Sequence, residues 1–390
     1  MADARANPYR IDFSSSERAS LGIEMELEIV ETATRELHSA ATEVLAEMGQ
    51  GYCDGEHPKA KHELLESTIE ILTSVCQTVP EASADLAETI AEIEAHTAPR
   101  GLALMCSGTH PFTDWATQDI SPNPRYAKLI ENMQWMARRL QIFGVHVHVG
   151  VRSPEKAIPM VNALTFYIPH FLALSASSPY WMSKDTGLAS SRTKVFESLP
   201  TAGLPYDLSG WPDFEAFMHT LISANSIQTI REVWWDIRPH PNFGTMELRV
   251  CDGMPTLGEV ATVAAIFQSL VEHLDGELDN GQELRRLHEW IIRENKWRAA
   301  RYGLEASIIV DDDGTLMPLR EAIGAMLELL RPVAQRLGCG EDLEAAYALM
   351  DRGPSYVRQR QVVAAGGSLM DVVDSLVEEL KTGRFGQAGL

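Results

Sequence analysis

A strand with two chemically different faces is the feature of this sequence that most constrains its fold. In LGIEMELEIV, residues 21–30, the carboxylates of Glu24, Glu26 and Glu28 alternate with apolar side chains. This period of two is typical of a half-buried β-strand, in which successive side chains point to opposite faces. The apolar face needs a core. On the other face, carboxylates about 7 Å apart repel one another unless water or a cation lies between them.

Three further segments have the same two-faced pattern. They are GVHVHVGV (His146, His148), GTMELRVCD (Thr245, Glu247, Arg249) and ESTIEILTS (Thr68, Glu70 and Leu72, with Glu63 and Glu66 just upstream). Each one alone is equally well explained by a solvated surface, a hydrogen-bonded histidine pair or a surface ion pair. Together, five or six acids and one or two imidazoles on rigid strands indicate a single cation site. Oxygen ligands favour Mg²⁺ or Mn²⁺ over zinc.

The order of the predicted elements indicates the fold class. We expect strands at 21–31, 67–75 and 102–107 and in GVHVHVGV, WWDIRPH and GTMELRVCD, and helices at 36–49, from Pro80, and at 126–140, 155–177 and 212–230. From Thr256 onward the pattern is helical, apart from a hairpin that turns at Asp313-Gly314. Strands with one polar face predict an α+β fold with an antiparallel sheet, covered by helices on one side and lined with functional groups on the other.

The composition excludes some partners. The net charge of −22, from 33 basic and 55 acidic residues, argues against nucleic acid or an anionic membrane. Five separated cysteines without a CxxC pair predict free thiols in a reducing compartment, and we expect a cytoplasmic protein without a signal peptide.

The most apolar stretch, interrupted by Pro169 and His170, is better explained by a buried helix than by a membrane span. The P-loop and GxGxxG patterns do not occur in the sequence, so metals and arginines would have to hold a nucleotide.

A series of ordered motifs resembles the carboxylate–amine ligases of the glutamate–cysteine ligase type 2 family. The motifs are LGIEMELEIV, KHELLESTIEILTSVC, CSGTHPF, FGVHVHVGV, SSRTKVFESLP, DIRPHPNFGTMELRVCD and ENKWRAARYGLEA. The resemblance covers about Glu17 to Leu380 and implies one catalytic domain, 17–380, whose C-terminal part, 256–390, is mostly helical. It also implies a curved antiparallel sheet of the glutamine synthetase and guanidino kinase type, with helices on the outer face. The concave face would hold two or three Mg²⁺ ions and ATP, and the resemblance suggests a homodimer.

The resemblance also assigns roles to individual residues. It implies metal ligands at Glu24, Glu26, Glu63, Glu70, His146 and Glu247. Arg249 would reach the ATP phosphates, and Arg192 would hold the carboxylate of the amino-acid substrate. Together with Glu247, these two arginines are the expected catalytic residues.

Three further residues are expected near the substrates, each with an alternative. His148 would line the substrate pocket. Either His148 or a nearby carboxylate would accept the proton of the amine. Arg238 would bind substrate or, equally, serve a structural role. Arg301, in the basic stretch RENKWRAAR, would bind the cofactor unless that stretch is a surface helix.

These expectations define a function and its rivals. A carboxylate does not react with an amine at neutral pH, because its leaving group would be oxide. Phosphorylation of the carboxylate by ATP provides a better leaving group. Mg²⁺ and Arg249 would neutralise the charge on the transferred phosphoryl group. The leading hypothesis is an ATP-dependent ligase that joins the γ-carboxylate of glutamate to an amine such as cysteine through an acyl phosphate. The alternatives are another carboxylate–amine pair, a metal-dependent hydrolase, a guanidino kinase and a non-catalytic nucleotide-binding homologue. A hydrolase would turn over without ATP, whereas a kinase would leave a stable phosphorylated product.

Overall fold

Eleven strands and fourteen α-helices make up the part of the chain that the computed structural model describes, residues 10–383. The strands are β1 Leu21–Glu31, β2 Ala60–His62, β3 Thr68–Leu72, β4 Leu102–Met105, β5 Val145–Gly150, β6 Tyr180–Trp181, β7 Lys184–Asp185, β8 Ile237–His240, β9 Thr245–Leu248, β10 Ser307–Ile309 and β11 Leu316–Pro318. The helices up to the last sheet strand are α1 Ala41–Met48, α2 Val79–Thr97, α3 Pro124–Met133, α4 Trp135–Arg138, α5 Pro154–Leu164, α6 Ile168–Ser175, α7 Arg192–Phe196 and α8 Trp211–Ser223. The later helices are α9 Leu257–Asp279, α10 Glu289–Tyr302, α11 Leu319–Leu337, α12 Gly340–Arg352, α13 Ser355–Ala364 and α14 Leu369–Thr382. Residues 384–390, expected in the helical C-terminal part, lie outside the described residues.

The main sheet has seven strands, and every neighbouring pair in it is antiparallel. Its order is β2-β3-β1-β5-β9-β8, and β4 pairs with the second half of β1. The long strand β1 is central because it is the only one of these seven that pairs with three others. The predicted α+β class with an antiparallel sheet is confirmed, and so is the hairpin β10–β11.

The apolar faces of the strands form the core on one side of the sheet. Ile23, Met25, Val145 and Val147 are at most 1% exposed and belong to one hydrophobic cluster that includes residues of α2 and α9. Helix α9 begins with a capping box: the Thr256 hydroxyl accepts the N–H of Glu259, and the Glu259 carboxylate accepts the N–H of Thr256. Because this side is closed by helices, the polar faces of the strands are left for the opposite side.

Two predicted helices differ from the structure in their bounds, and two others are interrupted. Helix α1 begins at Ala41 rather than 36, because Leu37 instead pairs with Val30 after a turn. The stripe 126–140 is interrupted at Gln134, which has φ +49°, and the helix predicted for 212–230 ends at Ser223.

The helix predicted for 155–177 is divided at residues 165–167. Pro169 lacks the N–H that would bond the carbonyl of Thr165, and in an uninterrupted helix its ring would clash with that carbonyl. The segment Pro154–Ser175 is nevertheless long and apolar enough to cross a membrane, and 89% of its apolar window is buried inside the fold. This burial supports the interpretation of the stretch as a core helix.

The core predicts a large cost for removing side-chain volume from α9. Leu270 is fully buried in the main hydrophobic cluster, so Leu270→Ala should lower the free energy of unfolding by about 2–5 kcal/mol. The matched control is Leu329→Ala in α11, where the side chain is 46% exposed and the expected change is below about 0.5 kcal/mol. Urea unfolding measures both values. Equal losses in the two variants would contradict this assignment of the core.

Candidate active site

The register of the sheet places the polar side chains directly opposite one another. Glu26 pairs with Glu70 across β1 and β3, and Glu24 pairs with His146 across β1 and β5. On the other side of β5, His148 pairs with Glu247 of β9. Side chains at such positions have Cβ atoms about 4.5–5.5 Å apart, so the four strands present one continuous polar cluster.

This cluster lines a cavity of about 610 Å³ on the polar side of the sheet. Nine of the predicted site residues line it: Glu24, Glu26, Glu63, Glu70, His146, His148, Arg238, Glu247 and Arg249. A smaller cavity, of about 100 Å³, shares Glu26, His146 and Arg249 with the first and adds Arg192. The structure therefore gathers all but one of the sequence-predicted side chains around two contiguous cavities.

Glu24 lies at the centre of two groups of potential ligand atoms. Its carboxylate is 3.1 Å from His146 Nδ1 and 3.5 Å from His148 Nε2, and His148 Nε2 is 3.7 Å from Glu247 Oε1. The ligand atoms of Glu24, Glu70 and His146 all lie within 4.8 Å of one another, and the same is true of Glu24, His148 and Glu247. His148, which was expected to line the substrate pocket, thus also has the position of a metal ligand.

The protonation states of these residues follow from burial and from their neighbours. Burial opposes ionisation of Glu24, but contacts with His146 and His148 outweigh it and hold its pKa well below the usual value. Burial, together with the charge of Arg249, lowers the pKa of His146 to about 4, so its imidazole is neutral and able to act as a ligand. For His148, burial lowers the pKa, but the charges of Glu247 and Glu24 outweigh this and raise it.

The acids on the β2–β3 side of the cluster lack such compensation. Burial, and then the charge of Glu63, raises the pKa of Glu26 to about 8. Burial also raises the pKa of Glu63, and it raises that of Glu70 well above its usual value, where the charge of Glu24 adds to the effect. Lys61 is the cation that contacts Glu70, at 3.3 Å. Carboxylates this close and this poorly neutralised fit a site for divalent cations, whose charge would replace the missing compensation.

Two arginines hold Glu247 in place. Arg238 donates to both of its carboxylate oxygens, at 2.8 and 3.1 Å, and Arg249 donates to Oε1. Burial opposes ionisation of Glu247, but the charges of Arg238 and Arg249 outweigh it and keep its pKa well below the usual value. Nη1 of Arg238 also donates to the carbonyls of Ile230 and Val233, both at 2.8 Å. Arg238 therefore orients Glu247, and the geometry supports the structural alternative for it over substrate binding.

Arg192 lies buried behind the cluster at the start of α7. Its guanidinium donates to the carbonyls of Val250 and Arg249 at 3.4 and 3.5 Å, and it lies 5.6 Å from the centroid of the Phe196 ring. Within residues 10–383, Nε of Arg192 and Nε of Arg249 are buried atoms without a hydrogen-bond partner. A Cβ atom at Gly144 would clash with the Arg192 guanidinium, so a larger residue there would displace this guanidinium. Both arginines thus keep one N–H donor that no described residue uses.

Three charged residues from the sequence motifs lie elsewhere. Glu28 is fully buried and accepts hydrogen bonds from the N–H and hydroxyl of Ser107. Glu66 accepts from the N–H and hydroxyl of Thr42 near the start of α1. Arg301 donates to the carbonyl of Gly187 and does not line either cavity, so the structure gives no support to its predicted contact with the cofactor.

The structure adds residues that the motif analysis did not assign to the site. Tyr126, part of the predicted helical stripe, donates to the His62 carbonyl at 3.0 Å and to Glu63 at 3.3 Å. His240 and Phe243 stack with their centroids 4.1 Å apart at the wall of the large cavity, next to His148. The strand pattern offered a signal for His240 because it alternates with Arg238, whereas the loop position of Phe243 offered none.

The raised pKa of Glu26 predicts a pH-dependent effect on stability. Between the pKa of an unfolded glutamate and about 8, folding requires Glu26 to take up a proton, so stability falls as the pH rises through this window. Glu26→Gln removes this titration. In EDTA the variant should exceed the wild type in stability by on the order of 1 kcal/mol at pH 8.5 and by much less at pH 5, since Glu26 is partly open to solvent. Urea unfolding at both pH values tests this, and an equal difference at the two would contradict it.

Comparison with known proteins places this site in a family. The model of Glutamate-cysteine ligase family 2 (GCS2) matches residues 20–377. "Putative glutamate–cysteine ligase 2-1" of Frankia alni is 56% identical over 381 residues, which cover 97% of this chain and 100% of that protein. "Putative glutamate–cysteine ligase 2" of Thermobifida fusca is 50% identical over 373 residues, with 96% and 94% covered.

Solved structures show the same fold at low sequence identity. Glutamate–cysteine ligase from Francisella tularensis, in complex with AMP, has a TM-score of 0.69 at 13% identity, covering 97% of this chain and 91% of that one. The bifunctional glutathione synthetase from Pasteurella multocida has a TM-score of 0.67 at 14% identity, covering 93% and 52%. The chain therefore belongs to glutamate–cysteine ligase family 2 and is an ATP-dependent carboxylate–amine ligase that acts on small amino-acid substrates.

Proposed function

We propose that this ligase joins the γ-carboxylate of glutamate to the amino group of cysteine, with Mg²⁺ bound to the carboxylate–imidazole cluster. The observation that carries the proposal is the position of this cluster, which is poorly neutralised on its β2–β3 side and bordered by two arginines with a free buried donor. The names of the curated relatives, which specify glutamate and cysteine, support the choice of substrates.

The two ligand groups of the cluster would bind Mg²⁺, with Mn²⁺ as an alternative. One group is Glu24, Glu70 and His146, and the other is Glu24, His148 and Glu247, so Glu24 would bridge two ions. Bound Mg²⁺ would neutralise the phosphate charge and hold the transferred phosphoryl group in line. Glu26 and Glu63 lie beside the first group, where they would ionise once a cation compensates their charge.

The two arginines would bind different substrates. Arg249, fixed by Glu247, would donate to the transferred phosphoryl group. Arg192 would bind the α-carboxylate of glutamate in the small cavity, where the apolar side chains of Phe143 and Phe196 contribute to the walls. With its α-carboxylate held there, the γ-carboxylate of the substrate would face the cluster.

The direction of the strands supports one position for the nucleotide. Arg192 is beside the end of the sheet formed by Gly144 and Val250, whereas His240 and Phe243 are at the other end, with the cluster between them. In-line transfer requires the leaving ADP to extend away from the attacking carboxylate. The adenine ring would therefore lie at the His240–Phe243 pair, where Phe243 is 52% exposed.

The proposed reaction has two balanced steps. An oxygen of the γ-carboxylate attacks the γ-phosphorus of ATP, the bond to ADP breaks, and a γ-glutamyl phosphate forms. The amino group of cysteine, after loss of a proton, attacks the acyl carbon and phosphate leaves with the electron pair of the broken C–O bond. The candidate proton acceptors are the nearby carboxylates and, as an alternative to its role as a metal ligand, His148.

Beyond the chemistry, we propose that residues 17–380 act as one catalytic domain, as the motif resemblance implies. The same resemblance suggests a homodimer, which sedimentation analysis would test. A cytoplasmic location agrees with the five cysteines, all of which are free thiols.

Release of phosphate from ATP tests the proposed substrates. With Mg²⁺ present, release should require both glutamate and an amine, and cysteine should be the best member of a panel of amino acids and simple amines. A different best amine would identify another acceptor and overturn cysteine. Formation of ADP with a stable phosphorylated product and no released phosphate would instead favour a kinase, and turnover without ATP would favour a hydrolase.

Loss of Glu247 or Arg249 should abolish turnover in a folded protein. Glu247→Gln and Arg249→Ala remove a proposed metal ligand and a proposed phosphate contact, and we expect kcat to fall by a factor of about 100 or more. Glu289→Gln and Arg293→Ala, which change an exposed ion pair of α10, are the matched controls and should be fully active. Circular dichroism monitors folding. A folded Glu247→Gln or Arg249→Ala variant with wild-type kcat would contradict the proposed site.

Removal of the Phe243 ring should weaken the binding of ATP alone. Loss of one base–aromatic stack predicts a KM for ATP about tenfold higher in Phe243→Ala, with the KM for glutamate unchanged. Tyr206→Ala is the control, because Tyr206 is 56% exposed and does not line the large cavity. If Phe243→Ala raised the KM for glutamate and left that for ATP unchanged, the proposed direction of the nucleotide would be wrong.

A further inference from the structure

A buried lysine outside both cavities contacts the elements that carry the two substrate-facing arginines. Lys296 in α10 is 2% exposed, and its Nζ is 2.5 Å from Asp236 Oδ2 and 2.6 Å from Glu197 Oε1. Removing an ammonium group from water costs several kcal/mol, which apolar side chains packed in the same space would avoid. Lys296 and its two carboxylates therefore stabilise the fold less than apolar side chains would, and their contacts indicate another role.

The first contact of Lys296 leads to Arg192. Glu197 directly follows α7, the short helix that begins with Arg192, and its N–H donates to the Thr193 carbonyl at 3.0 Å. Helix α10 also holds the segment before α7, because the Ala300 carbonyl accepts the N–H groups of Ala189 and Ser190 at 2.9 and 3.1 Å. The segment that carries Arg192 is thus attached to α10 at both of its ends.

The second contact leads to Arg249. The backbone carbonyl of Asp236, whose side chain is bound by Lys296, accepts the N–H of Arg249 at 2.7 Å. The N–H of Asp236 in turn donates to the Gly203 carbonyl at 2.7 Å, in the loop that follows Glu197. One ammonium group therefore joins the chain segments on which both arginines depend.

We propose that Lys296 is a positioning residue, which sets the distance between Arg192 and Arg249 and thereby aligns the amino-acid carboxylate with the phosphoryl group. This inference rests on the proposed function of the two arginines. Lys296 does not touch either of the two site cavities; it lines a separate cavity of about 410 Å³ with Glu197 and Trp297. It acts through the segments that it holds and not on the substrates themselves.

Steady-state kinetics of three variants test the proposal. Lys296→Met keeps most of the side-chain volume and removes the charge. We expect it to raise the KM for glutamate on the order of tenfold and to lower kcat by a similar factor, because small misalignments of reacting groups are costly. Lys296→Arg keeps the charge and should restore most of this loss. Arg293→Met, an exposed cation on the same helix, should behave as the wild type.

A purely structural role predicts a different outcome. In that case Lys296→Met would lower the melting temperature, whereas KM and kcat per folded molecule would stay at wild-type values, and the proposal would be overturned. If Lys296→Met does not fold, Glu197→Gln replaces it, because Glu197 is partly exposed, and a wild-type KM for glutamate in this variant would overturn the proposal as well. The wild type in the same assay distinguishes a failure of the proposed function from a failure of the positioning role of Lys296. If the wild type shows no glutamate-dependent turnover, the proposed function is refuted and not the positioning role.

Discussion

Repulsion among carboxylates on one face of an antiparallel sheet is the constraint on which this structure depends. The register places Glu26 opposite Glu70 and Glu24 beside both histidines, so strand pairing keeps these side chains close together, and protonation or a bound cation has to relieve the repulsion. The apolar residues between them are held in the core by α2 and α9. Packing of the apolar face thus stabilises a sheet whose other face carries mutually repelling carboxylates, and bound cations would reduce this repulsion.

The charges around this cluster are arranged by a second set of buried ion pairs. Arg238 holds Glu247, and Lys296 holds Asp236, whose carbonyl binds the backbone of Arg249. Buried ion pairs contribute little net stability, because the cost of removing charges from water offsets their attraction. Their effect here is geometric: they limit where the arginine and carboxylate groups of the site can lie.

Much of the site could be predicted from the sequence because it lies on strands, where a period of two assigns every side chain to a face. The same rule could not reveal that Ser107 binds Glu28 or that Thr42 binds Glu66, since both partners lie in distant parts of the chain. It also gave no information on Phe243, which a loop brings to the cavity wall.

The fold class was predictable for a similar reason, whereas the helix bounds were less so. Alternation marked the strands, but the pairing of Leu37 with Val30, which delays α1, depends on a turn without a strong local signal. In the basic helix α10, charge alone did not distinguish the buried Lys296 from Arg301, which binds a loop carbonyl. Which face of a charged helix packs inward is decided by its partners in the tertiary structure.

The most direct test of the account is a Mn²⁺ titration at pH 8.5, followed by the electron paramagnetic resonance signal of the free ion, with and without a non-hydrolysable ATP analogue. We expect saturable binding to the wild type, and loss of most of it in Glu24→Gln, because Glu24 belongs to both ligand groups. Binding should persist in Glu289→Gln, which changes an exposed carboxylate of α10. Wild-type Mn²⁺ binding in folded Glu24→Gln, or an absence of binding in the wild type under both conditions, would contradict the claim that this face of the sheet is a metal site.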